Sequence, residues 1–67
     1  MNVYLNNELF AVEQPVCLHD FLSNKNIVDV RGIAVAVNSE VIAKEKWKDH
    51  PISDQDKIIV IRATQGG

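Results

Sequence analysis

The sequence predicts an α+β domain, in which a mixed sheet of four to five strands carries one main helix packed across one face. The chain has 67 residues, enough for one small domain. Its N-terminal residues alternate between apolar and polar with a period of two, whereas residues 18–22 follow the spacing of a helix face. The unbroken apolar run 58–61 is typical of a strand at the centre of a sheet.

The N-terminal thirteen residues predict a β-hairpin. Val3 and Leu5 lie on one face of a first strand, and an alternating segment around Phe10 forms a second. Asn6-Asn7 stands between them. Because Asn tolerates the positive φ angles of a two-residue turn, we expect a tight connection here.

One helix follows the hairpin. Leu18, Phe21 and Leu22 recur at the i, i+3, i+4 spacing of a single apolar face. The pattern predicts a helix over about residues 18–25. Its N-cap would be Cys17, at a position where Ser, Thr, Asp or Asn is preferred.

Two more strands precede the last loop. Residues 33–37, IAVAV, are apolar on both faces, which favours a strand covered by the helix on one side and partly sheltered on the other. Asn38-Ser39 turns the chain into a short strand over residues 40–42.

The C-terminal third predicts a loop and a final strand. We interpret KEKWKDH, residues 44–50, as an irregular surface turn around Trp47, whose side chain we expect in the core. We expect residues 57–62 to form a buried strand at the centre of the sheet. The pattern permits a topology in which this last strand lies beside the first strand and parallel to it. This order of elements is that of the β-grasp architecture of ubiquitin.

Composition excludes several classes of function. Hydrophobic residues make up 46% and charged residues 24%, and the net charge is −2, with scattered Lys and Arg. Nucleic acid, which requires clustered basic residues, is therefore not an expected partner. No signal peptide or membrane span is evident, so we expect a cytoplasmic protein without a membrane partner.

Cys17 and the histidines do not form a convincing catalytic or metal site. Cys17 and His19 point in different directions on a helix, and no third orienting group is evident, so we reject a Cys-His nucleophile. A single cysteine also excludes a multi-thiolate metal site. The spacing of the His and Asp residues matches no recognised metal motif, and the set considered was His19, His50, Asp20, Asp49, Asp54 and Asp56.

The C-terminus is the candidate functional site. We expect residues 1–63 to form the domain and residues 64–67 to be a flexible tail that ends in Gly66-Gly67. Two terminal glycines occur by chance in roughly one chain in 200. Because glycine has no Cβ, such a tail can enter a narrow active-site channel of another protein.

Over nearly its whole length, the chain resembles the family of thiamine-biosynthesis sulfur carrier proteins (ThiS), which are ubiquitin-like proteins. CLHDFL at 17–22 is similar to that family's Thr-Val-x-Glu-Leu-Leu helix opening. The segment from residue 34 to residue 67 is similar to its strand, Asn-x-x-x-Val, Trp-centred turn, Asp-Gly-Asp, final strand and Gly-Gly. Two residues depart from the pattern: Cys17 replaces a hydroxyl cap, and Gln55 replaces glycine.

The resemblance implies a sulfur carrier without an active site or cofactor of its own. An E1-like adenylyltransferase of the ThiF type would adenylate the Gly67 carboxylate with ATP, and sulfur from a cysteine desulfurase would convert it to a thiocarboxylate. Thiazole synthase, of the ThiG type, would then receive the sulfur. Gly66 would give the tail access to the activating enzyme, and the free carrier would be a monomer.

Three alternatives remain open. The small subunit of molybdopterin synthase shares this fold and chemistry, although its chains are usually longer. A protein modifier would form isopeptide bonds through Gly67, and a β-grasp interaction module would carry an inert tail. Apolar residues on the uncovered sheet face, with Leu9 and Ile59 as candidates, would form the docking patch for the activating enzyme.

Overall fold

A computed structural model describes residues 1–27 and 32–62. Its sheet has five strands in the spatial order β2-β1-β5-β3-β4. Neighbouring strands are antiparallel except for β1 and β5, which are parallel. The predicted mixed sheet with one main helix is therefore confirmed, and the last strand is central. The elements are β1 Asn2–Leu5, β2 Glu8–Ala11, α1 Leu18–Asn24, β3 Ile33–Val37, β4 Glu40–Ile42, the 3-10 helix η1 Lys44–Asp49 and β5 Lys57–Arg62.

Both predicted two-residue turns are present. Asn6 and Asn7 have φ of 51° and 71°, and Asn38 and Ser39 have φ of 52° and 73°. Two consecutive positive φ angles define the turn whose twist matches that of paired strands, and Asn reaches this conformation more readily than most residues. The two hairpins, β1-β2 and β3-β4, are therefore largely determined by local sequence.

Helix α1 begins where the sequence predicts. The Cys17 sulfur accepts a hydrogen bond from the Asp20 backbone N–H at 3.4 Å, so Cys17 is the N-cap. The helix ends at Asn24, one residue earlier than predicted, and Lys25 is the C-cap. Its buried face carries Leu18, Phe21 and Leu22, and Lys25 folds its ammonium over the Phe10 ring at 3.9 Å.

The core lies between α1 and one face of the sheet. Alternate residues of three strands point toward the helix, because successive side chains of a strand lie on opposite faces. Ile58 is fully buried at the centre of this layer. The buried apolar residues are Val3, Leu5, Leu18, Phe21, Leu22, Val35, Val37, Trp47, Ile52 and Ile58.

The segment predicted as an irregular surface turn is a regular 3-10 helix, η1, so that prediction was wrong. Trp47 explains why this segment is regular. Its side chain is only 1% exposed, and its indole N–H donates to the Ile42 carbonyl at 3.0 Å. Burying this ring against α1 requires the flanking backbone to close into tight turns, as seen in the Lys46 N–H donating to Ala43. The expectation that Trp47 belongs to the core is confirmed.

Strand β5 is central, as predicted, but it is not buried on both faces. Ile58 is fully buried, whereas Ile61 is 56% exposed. The physical reason is that a single helix covers only one side of the sheet, so the alternate residues of β5 face outward. Within the described residues, no helix is both long and apolar enough to cross a membrane.

Candidate functional site

Strand β5 connects the core to the C-terminal residues. Ile58 anchors it in the core, and its last residue, Arg62, pairs with Ile33 of β3. The five residues after Arg62, among them the predicted site residues Gly66 and Gly67, lie outside the described part of the chain. The predicted boundary between the domain and the tail at residues 63 and 64 lies outside it as well.

The Asn6 side chain attaches β5 to the first hairpin. Its Oδ1 accepts a hydrogen bond from the Val60 backbone N–H at 2.8 Å, and its own backbone N–H donates to the Ile58 carbonyl at 2.8 Å. Because regular β1-β5 pairing covers only two residues of each strand, this side chain extends the attachment further along β5. Sequence reasoning assigned Asn6 only to the turn, and no local signal distinguishes the additional role.

The start of β5 is held by a polar network around Asp56. This carboxylate is 8% exposed and accepts from the Asn38 side-chain amide at 2.9 Å and from the Ser53 N–H at 2.8 Å. The Asn38 Oδ1 in turn accepts from the Lys57 N–H at 3.0 Å. The β3-β4 turn is therefore tied to the strand that leads to the C-terminus.

The sheet face opposite α1 carries exposed apolar side chains, and we call it the open face. Leu9 is 55% exposed, Val41 69% and Ile61 56%, while Ile59 is half-buried. The strand registers place Ala36 between Ile59 and Val41 in one row across the sheet. Leu9 and Ile59 were named from the sequence, but Val41 and Ile61 were missed because only the strand order shows that they share a face.

Cys17 and His19 lie at the N-terminal end of helix α1, as the sequence predicts. The Cys17 sulfur is occupied as the helix cap, and His19 Nδ1 lies 3.4 Å from Asp20 Oδ1. Since Asp20 is exposed, this contact contributes little to stability. In residues 1–27 and 32–62, no three His, Cys, Asp or Glu side chains are grouped to hold a metal ion.

An open cavity of about 310 Å³ lies between the end of the first hairpin and α1. Val12, Val16 and Phe21 form its apolar wall, and Glu13 and Lys25 stand at its border. No residue of β5 lines it. The Lys25 ammonium lies 3.9 Å from the centre of the Phe10 ring and 5.7 Å from that of the Phe21 ring.

Comparison with known proteins agrees with this fold and with the sequence resemblance. The model of the ThiS family matches residues 3–67, and the sulfur carrier protein ThiS of Escherichia coli K12 is 26% identical over an alignment of 69 positions that covers both chains completely. The crystal structure of the thiamine biosynthesis protein ThiS from Geobacter metallireducens superposes with a TM-score of 0.84, at 22% identity and with full coverage of both chains. A solution NMR structure of a thiamine biosynthesis protein from the same organism gives a TM-score of 0.77, at 22% identity, covering all of this chain and 88% of the other. This chain therefore belongs to the ThiS family.

Proposed function

We propose that this protein carries sulfur in thiamine biosynthesis as a thiocarboxylate on Gly67, with Gly66 giving the tail access to an activating enzyme. The observation that carries the proposal is the family match, which extends through residue 67 and so includes both glycines. Membership of the ThiS family supports the general role of sulfur carrier. The steps at Gly67 and the identity of the partners are the proposal.

The chemistry requires activation because a carboxylate is a poor electrophile. Attack on ATP by the Gly67 carboxylate would form a glycyl adenylate and release pyrophosphate. The outer sulfur of a persulfide formed from cysteine by a desulfurase would then displace AMP to give an acyl disulfide. Cleavage of its S–S bond by a thiol reductant would leave sulfur in place of one carboxylate oxygen. An E1-like adenylyltransferase of the ThiF type would supply the active site, and thiazole synthase would consume the thiocarboxylate.

The role of the domain in this proposal is to position the C-terminal tail for the activating enzyme, and it does not catalyse the reaction. Ile58 and the Asp56 network hold β5 at its start, and Asn6 holds it at Val60, so the strand is fixed up to the residues that precede the tail. A fixed strand gives the activating enzyme a defined point from which the tail departs, which reduces the entropic cost of placing Gly67. The proposed carrier is a substrate of its partners and performs no turnover itself.

The test is intact mass spectrometry after incubation with the host activating enzyme, ATP, cysteine and a desulfurase. We expect a mass gain equal to the exchange of one oxygen for one sulfur in the full-length chain. A variant lacking Gly67 is the matched control and should show no gain. Trp47 fluorescence verifies that the truncated chain is folded, since this buried ring reports on the core.

Two outcomes would contradict the proposal. An unmodified full-length chain, with an activating enzyme that modifies another carrier, would exclude thiocarboxylate chemistry at Gly67 and favour an interaction module with an inert tail. Sulfur transfer to a pterin precursor instead of the thiazole precursor would assign the chain to the molybdopterin branch.

A further inference from the structure

We propose that Asn6 is a positioning residue for adenylation of the C-terminal carboxylate, and that it acts by fixing the end of β5 through the Val60 N–H. The inference deepens the proposed function and rests on it. The observation that carries it is a side-chain hydrogen bond at the part of the β5 edge that extends beyond the pairing with β1.

The two edges of β5 are paired over different lengths. On one edge, every residue from Ile58 to Arg62 has a partner in β3. On the other edge, the register with β1 covers only Lys57 and Ile58. Among the described strands, residues 59–62 therefore have regular pairing on one edge only. A strand end that is paired on one edge opens more readily than a strand that is paired on both.

The Val60 N–H points toward the edge that β1 leaves. The Tyr4 N–H donates to the Asp56 carbonyl at 2.9 Å, and the Asn6 N–H donates to the Ile58 carbonyl at 2.8 Å. Because backbone groups alternate between the two edges of a strand, Val60 is the next residue whose N–H faces this side. That N–H donates to Asn6 Oδ1 at 2.8 Å. The Asn6 side chain thus continues the ladder by one bond after β1 has ended.

Asn6 combines a backbone role with a side-chain role, and substitutions can separate them. Its φ is 51°, which glycine adopts freely and which Asn and Asp tolerate better than most residues. Asn and Asp also place an acceptor oxygen on the side chain, whereas glycine offers none. Asn7 has φ of 71° in the same turn, and none of the described side-chain hydrogen bonds involves it.

The contact with Val60 should affect the rate of adenylation in the bound complex. The net contribution of one hydrogen bond corresponds to a factor of about two to ten in an equilibrium constant. Adenylation requires the Gly67 carboxylate to meet ATP in a narrow range of positions, and a frayed strand end widens the range from which it starts. The loss therefore lowers kcat. A merely destabilised domain would instead reduce the concentration of folded carrier, which raises the apparent KM and leaves kcat unchanged.

The experiment measures ATP–pyrophosphate exchange by the host activating enzyme as the concentration of the full-length chain is varied. We expect Asn6→Gly to lower kcat about fivefold, with KM within about twofold of the wild type. Asn6→Asp, which keeps an acceptor, should retain at least about half of the wild-type kcat. Asn7→Gly is the matched control for glycine in this turn and should stay within about twofold of the wild type.

Hydrogen exchange of the Val60 amide, followed by NMR, tests the contact without any enzyme. We expect this amide to exchange about fivefold faster in Asn6→Gly than in the wild type, and to remain protected in Asn6→Asp. Trp47 fluorescence verifies that each variant is folded, because this ring is buried in the core.

The outcomes separate this inference from the proposed function. Faster exchange at Val60 in Asn6→Gly, with kcat unchanged, would overturn the positioning role and leave the carrier function intact. A higher KM alone, or an equal fall in kcat for Asn7→Gly, would show a structural effect of the turn and would overturn the inference as well. A wild-type chain that supports no exchange of pyrophosphate would refute the proposed function itself.

Discussion

Asn38 should contribute a large share of the stability of this domain. Its side chain donates to the Asp56 carboxylate and accepts from the Lys57 N–H, and its φ is 52°. A hydrogen bond to a charged group contributes about 1.5 kcal/mol at the lower end of its range, and a neutral bond about 0.5 kcal/mol. Asn38→Gly, which keeps the turn, should therefore lower the free energy of unfolding by about 2 kcal/mol.

Asn38→Ala should lower the free energy of unfolding further than Asn38→Gly does, because alanine in the left-handed region costs about 1 kcal/mol more than glycine. The loss of about 3 kcal/mol is severe for a chain whose total stability is on the order of 3 to 10 kcal/mol at 67 residues. Urea unfolding followed by Trp47 fluorescence measures it. With a slope of about 1 kcal/mol per M for so small a domain, the midpoint of Asn38→Gly should fall by about 2 M.

Ser39→Gly is the matched control for the glycine itself. Ser39 lies in the same turn at φ 73°, and none of the described side-chain hydrogen bonds involves it. This variant should be as stable as the wild type or slightly more stable. The reasoning is refuted if Asn38→Gly unfolds at the same urea concentration as Ser39→Gly, since the two side-chain hydrogen bonds would then contribute nothing.

Two further substitutions test local features. Gln55 has a positive φ of 70°, a conformation that glycine adopts without steric cost. Gln55→Gly should therefore raise the free energy of unfolding by about 0.5 kcal/mol, as measured by thermal unfolding. A destabilised variant would contradict this argument. Cys17→Ser replaces a sulfur acceptor at 3.4 Å by the preferred hydroxyl cap, so it should stabilise α1 by about 0.5 kcal/mol in the same assay and leave thiocarboxylate formation unchanged. Loss of sulfur uptake in Cys17→Ser would instead give this thiol a chemical role.

Sequence reasoning was most successful where a short-range rule decides the conformation. The Asn6-Asn7 and Asn38-Ser39 turns, the Cys17 cap and the bounds of β3 all depend on residues within a few positions of one another. It failed for η1, because the 3-10 conformation is imposed by burial of Trp47 against α1. It also overestimated the burial of β5, because an apolar run does not tell whether one or both faces are covered.

The sequence by itself determined the element order, the central place of β5 and the family, because these depend on periodicity, turn residues and motifs that end at Gly66-Gly67. Only the tertiary structure decided which residues share the open face. Leu9, Val41 and Ile61 are far apart in sequence, and the strand order and registers place them on the same face of the sheet. The same is true of the Asn6 contact with β5, since a side-chain hydrogen bond across 54 residues leaves no local pattern.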